Sequence, residues 1–152
     1  MGKIPGDEVR RLVLVSAIAV TLAACGSNSP SADYTEFCAV AASMESVASE
    51  PHGENPGAVT DPEVIRDTWS QAATIAAELR DKSPDEIKDD VALLASSVID
   101  TNDLFSAHDY DLVAIAKNEE LRNEFDAINR REGVADASTR FNAFVKDHCP
   151  TS

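Results

Sequence analysis

Apolar residues recur at helical spacing through residues 33–150, and the pattern predicts four or five helices. Phe37, Val40, Ala41, Met44, Val47 and Ala48 fall at i, i+3, i+4, i+7, i+10 and i+11, a single stripe. Glu50-Pro51-His52-Gly53 ends this helix, and breakers continue through Gly57. Thr60-Asp61-Pro62-Glu63 predicts the next start, a capping box at Thr60 with Pro in the first turn. Ile65, Trp69, Ala72, Ile75, Ala76 and Leu79 form its buried face, while Arg66, Asp67, Gln71 and Glu78 face water. Asp81-Lys82 closes it.

Ser83-Pro84-Asp85-Glu86 predicts a third start, with Ser83 as N-cap, Pro84 at N1 and Glu86 at N3. Ile87, Val91, Leu94, Ala95 and Val98 carry the stripe onward, as far as Phe105. From Asp100 to Asn118 no single period holds the apolar residues, which predicts a helix end, a loop and one extra turn. Asn118 caps a fourth helix with Leu121, Phe125 and Ile128 inward, and Gly133 interrupts it. Asp136 is the expected cap of the last helix, with Ala137, Phe141, Phe144 and Val145 inward and Cys149 just past its end. No stretch alternates with period two, and there is no internal repeat. The expected fold is all-α, an antiparallel four- to five-helix bundle. Its many alanines allow close helix approach and leave the aromatic side chains to fill the middle.

Residues 12–24 follow a different pattern. This apolar run of about 13 residues, flanked by Lys3, Arg10 and Arg11, is too short to span a bilayer and suits a secretory signal. A buried helix is the alternative, but Gly26, Ser27, Asn28, Ser29 and Pro30 break the pattern at once. The run closes on Leu22-Ala23-Ala24-Cys25, which resembles the lipobox of bacterial lipoproteins. That resemblance implies cleavage before Cys25 and a diacylglycerol on its thiol, so that Cys25 anchors the mature chain in the cell membrane, on its extracytoplasmic face. Residues 1–24 are then signal peptide, 25–32 the lipidated Cys and a flexible tether, and 33–150 the bundle. Asp7 and Glu8 fit a basic flank poorly, and translation beginning at Val9 instead of Met1 removes them.

Composition narrows the partners. The 152 residues carry a net charge of −14, and removing residues 1–24 leaves it near −15. Such a surface repels phosphate backbones, so nucleic-acid binding is not expected. Export also bears on the cysteines. With Cys25 lipidated, Cys38 and Cys149 remain, and two thiols left in an exported chain most simply pair. Free thiols or a metal site are the alternatives, but His148 and Cys149 are adjacent, a poor chelate.

Motifs for catalysis are missing. There is no G-x-S-x-G, H-E-x-x-H, Walker A or dinucleotide glycine pattern, and His52, His108 and His148 are isolated. Asp100, Asn102, Asp103, His108, Asp109 and Asp111 are the densest candidate ligands, but the spacing lacks the EF-hand Gly and terminal Glu. A solvated acidic loop is the simpler reading, and neither a metal nor a cofactor is expected. Trp69, the only tryptophan, is a core residue by its spacing and a weak ligand-stacking candidate. Arg130, Arg131 and Arg140 form a small basic spot or pair with neighbouring carboxylates.

The mature chain, with a Cys at each end of a helical domain, also resembles small helical exported lipoproteins of high-GC Gram-positive bacteria. That resemblance implies no catalytic residues. The expected function is a non-enzymatic, membrane-anchored module that binds another envelope protein. The alternative is a binder of a small apolar or cationic ligand in a pocket inside the bundle, with a hydrolase third.

Overall fold

A computed structural model describes residues 33–49 and 60–150. The expected signal peptide, Cys25, the expected tether and the breakers with His52 lie outside the described residues. Six α-helices run in order: α1 Thr35–Ser49, α2 Pro62–Asp81, α3 Lys88–Ser106, α4 Leu112–Lys117, α5 Glu119–Asn129 and α6 Val134–His148. A 3-10 turn, Asp85–Ile87, leads into α3, and no strand occurs among the described residues. The chain is an all-α antiparallel bundle. The extra turn expected between residues 100 and 118 is α4.

The central helix is α3, packed by α2, α5 and α6. Val91, Ala95, Ser97, Thr101, Leu104 and Phe105 are buried along it. Two of these are polar, and each satisfies its hydroxyl locally. Ser97 Oγ donates to Leu93 O at 3.2 Å, and Thr101 Oγ1 to Ser97 O at 2.8 Å. Neither hydroxyl is left unpaired in the core, where an orphan costs about 1–3 kcal/mol.

Large side chains gather at the two ends of the bundle, not in its middle. One core joins Phe37, Val40 and Ala41 of α1 to Leu79, Ile87 and Val91, with Phe141, Phe144 and Val145 of α6 against it. The other joins Ile65, Leu104, Phe105, Tyr110, Ile115 and Ile128, flanked by Trp69 and Phe125. Between them lie small buried residues: Ala72, Ala76, Ala95 and Ala137. Small side chains there let α2 and α6 each pack closely on α3, and the aromatics fill the poles instead.

Three predicted helix starts are shifted. The cap of α2 is Asp61, not Thr60; its carboxylate accepts from Glu63 N at 2.9 Å. Ser83 does not cap α3. Its hydroxyl donates to Arg80 O at 2.8 Å, closing the end of α2, because Pro84 at ψ 150° turns the chain before the helix begins. Asp136 lies within α6, whose cap is Gly133 at φ 86°. Glycine is required there by the left-handed backbone, and a Cβ would also press on Leu93 Cδ2 at 3.3 Å. Asn118 caps α5 as expected, accepting from Glu120 N and Leu121 N.

Cys38 in the first turns of α1 is bonded to Cys149 at the close of α6, with Cα atoms 5.4 Å apart. The bridge links positions 111 residues apart, so most of the domain is one closed loop. Loops of that size limit the unfolded chain by up to about 4.7 kcal/mol in the entropic account. Replacing both cysteines with alanine should lower unfolding free energy by about 2–5 kcal/mol in urea titration, with helix content retained at low denaturant. An unchanged midpoint would show that the bridge adds nothing.

Candidate functional site

Trp69 sits half-buried on α2. Its ring meets Phe105 edge-on, with centroids 5.0 Å apart, and Phe105 stacks on Phe125 at 5.7 Å. It therefore extends the second core.

The acidic stretch is part of the scaffold. Thr101 is buried within α3, and Asp100 accepts from Arg131 at 2.6 Å. Asp111 caps α4 by accepting from Ala114 N at 2.8 Å. Tyr110 is buried although it lies among acids, and its hydroxyl donates to Asn102 Oδ1 at 3.2 Å. To bring that ring inward, Asp109 and Tyr110 both take left-handed backbone, at φ 52° and 57°. That conformation costs about 1–2 kcal/mol per residue, which the buried ring offsets. Arg66 covers the ring's outer face, its guanidinium 5.5 Å from the centroid. An open cleft of about 450 Å³ beside this turn is lined by Asp100, Asp103, His108 and Glu124. Among the described residues, no group of three or more His, Cys, Asp or Glu side chains is arranged to hold a metal.

Arg130, Arg131 and Arg140 take the second of the two readings weighed for them, pairing with neighbouring carboxylates. Arg130 meets Asp126 at 3.5 Å, and Arg131 meets Asp100. Arg140 grips Asp90 with two hydrogen bonds, Nε to Oδ2 at 2.8 Å and a terminal nitrogen to Oδ1 at 2.6 Å. These bonds hold the Asp90 carboxyl below its ordinary pKa of 3.8 against the opposing effect of desolvation. At the disulfide pole Lys82 donates to Glu36 Oε2 at 2.6 Å, and this bond raises the ammonium pKa. Tyr34 donates to Glu86 at 3.2 Å, and its pKa is raised by burial first and by the Glu86 carboxylate second. His148 is exposed and packs against Phe144, with ring centroids 4.3 Å apart.

An apolar recess lies in the groove between α1 and α6. It encloses about 720 Å³ and is open to solvent. Ala41, Ala42 and Met44 line one wall, Phe141 and Val145 the other, and the Cys38–Cys149 bridge closes one end. Glu45 stands on the α1 wall and Lys146 on the α6 wall, both exposed. The groove exists because α1 packs mainly on α2 and α6 mainly on α3, so the two helices meet only near the bridge. Met44, Phe141 and Val145 carry helical core spacing but are only half-buried. One signal of this was available. The 15 residues of α1 hold only two charged side chains, Glu36 and Glu45, in a chain that is 26% charged.

The architecture defines a small disulfide-closed helical domain. Comparison with protein families, curated proteins and solved structures finds no match for this chain.

Two measurements follow from these contacts. Trp69→Ala should cost about 3 kcal/mol, the low end for truncating a large aromatic, because its ring is only half-buried. Loss of less than about 1 kcal/mol would mean that Trp69 does not support the second core. Arg140→Met tests the Asp90 pair through pH. A carboxyl whose folded pKa is depressed contributes stability above its unfolded value and loses it as pH falls through the folded one. The stability deficit of Arg140→Met should therefore be full near neutral pH and shrink below about pH 3.8. A deficit that persists unchanged into acid would contradict the pairing.

Proposed function

We propose that this chain is an extracytoplasmic lipoprotein, anchored through a lipid on Cys25, whose helical domain is a protein-interaction module of the cell envelope. The observation that carries the reading is the α1–α6 groove. Apolar side chains line it, little charge interrupts it, and the bridge that closes it sits where α1 begins. Grooves between helices are a recurrent way to accept an apolar helical face.

The anchored reading rests on Leu22-Ala23-Ala24-Cys25 and the apolar run before it. A disulfide fits an oxidising compartment. No described helix is long and apolar enough to cross a membrane, so a lipid on Cys25 is the attachment proposed. The tether sets the working distance. Eight residues, 25–32, extend to at most about 26–29 Å, which keeps the start of α1 close to the membrane.

Cys25→Ser tests the anchor directly. The parent should carry a diacylglycerol mass on a peptide that begins at Cys25 and should partition into detergent. The variant should remain uncleaved and lose the lipid. Normal cleavage with continued lipid-dependent retention would overturn the reading.

A further inference from the structure

We infer that the α1–α6 groove is covered by a second copy of this chain, related by a twofold axis parallel to the two helices. The orientation rests on the anchored reading above; the contact itself does not. Charge is the first argument. Glu45 and Lys146 stand on opposite walls of one groove, both exposed, and neither enters an ion pair among the described residues. A twofold interface is self-complementary: if residue i meets residue j, then j meets i. A rim with one free acid and one free base meets its own copy twice with opposite charges.

Geometry chooses between the two ways of stacking the groove on itself. An axis across the helices would lay α1 on α1 and point the two chain starts in opposite directions. The far copy would then spend nearly all its tether, because α1 alone is about 22 Å long. An axis along the helices lays α1 on α6 and leaves both α1 starts at one pole, facing one membrane. Only this second arrangement brings Glu45 over Lys146 of the other copy. Glu45 is seven residues from Cys38 and Lys146 is three from Cys149, which puts them about 10 Å and 4–5 Å from the bridge. Two long side chains span that offset.

The outer face of α1 suits the contact. Ala39, Ala42, Ser43 and Ser46 are exposed and small, so a facing helix can approach to the usual 8–10 Å or so. Met44 is pliable enough to fill what remains. Two short helices per copy make a small interface, weak in free solution. Confinement of both copies to one membrane raises their effective concentration and favours the pair there.

The test belongs in the native membrane, with the full-length chain in two differently tagged forms. A photo-crosslinking residue at Ala42, on the groove wall, should join one copy to the other, with the link mapped to α6. Glu45→Lys or Lys146→Glu alone should each weaken that adduct about tenfold, because every rim contact becomes like-charged. Coexpressing the two single variants should restore it, since each reversed charge then meets its opposite, and so should the double variant. Circular dichroism of each purified variant confirms that these exposed changes leave the helices intact. An adduct with a different protein or with lipid alone, no adduct, or a pair insensitive to reversal and rescue would each overturn the inference. The mass of Cys25 is read separately, so loss of the anchor and loss of the pair are distinguishable.

Discussion

Close packing of α2 and of α6 on α3 at the middle of the bundle is the constraint on which the rest depends. Ala76, Ala95 and Ala137 are almost wholly buried there, with Ala72 nearly so. Side chains this small let α2 and α6 each pack tightly on α3 and forfeit little rotamer entropy. Their cost is that the middle buries little apolar area per residue. Stability must therefore come from the ends, where Phe37, Val91, Leu104 and Phe105 are buried.

Each end solves that problem differently. At one pole the helices α4 and α5 fold over Ile65, Phe105 and Tyr110, and a strained turn at Asp109 and Tyr110 brings in a ring that the local sequence would leave outside. At the other pole no extra helix among the described residues caps the core. The Cys38–Cys149 bridge closes it instead, with Tyr34 and His148 laid over Phe144. A covalent closure needs no cover, so α1 and α6 remain at the edge with a groove between them. The recess proposed for docking follows from how that pole is built.

The acidic surface is organised around this arrangement. The cross-helix pairs Glu36–Lys82, Asp90–Arg140 and Asp100–Arg131 join α1 to the end of α2 and α3 to α6 and the turn before it. They absorb most of the cations that could have formed a basic spot. Surface pairs of this kind contribute modestly to stability. The groove lies apart from these pairs and carries only Glu45 and Lys146 as charged lining on a chain of net charge −14. An apolar strip on a repulsive background favours one specific contact over general stickiness.

The sequence by itself determined the helices and the faces they bury. Period-3.6 stripes are local, and each requires a core on one side, so Val91, Ala95, Leu79 and Ala137 were legible as interior. The pairing of Cys38 with Cys149 was legible as well, because two thiols remain once Cys25 is set aside as the expected lipidation site. Capping was less secure. Thr60, Ser83 and Asp136 each have the chemistry of an N-cap, but neighbouring Asp61, Pro84 and Gly133 fix the backbone first. Tertiary structure alone decided what lies between helices. Met44, Phe141 and Val145 carry core spacing, yet only the packing of α1 on α2 and α6 on α3 leaves them half-open. Tyr110 was hidden for the opposite reason, a buried ring reached through two left-handed residues that no periodicity announces. A stripe states which face wants to be covered; which neighbour covers it is set by contacts between residues far apart in the chain.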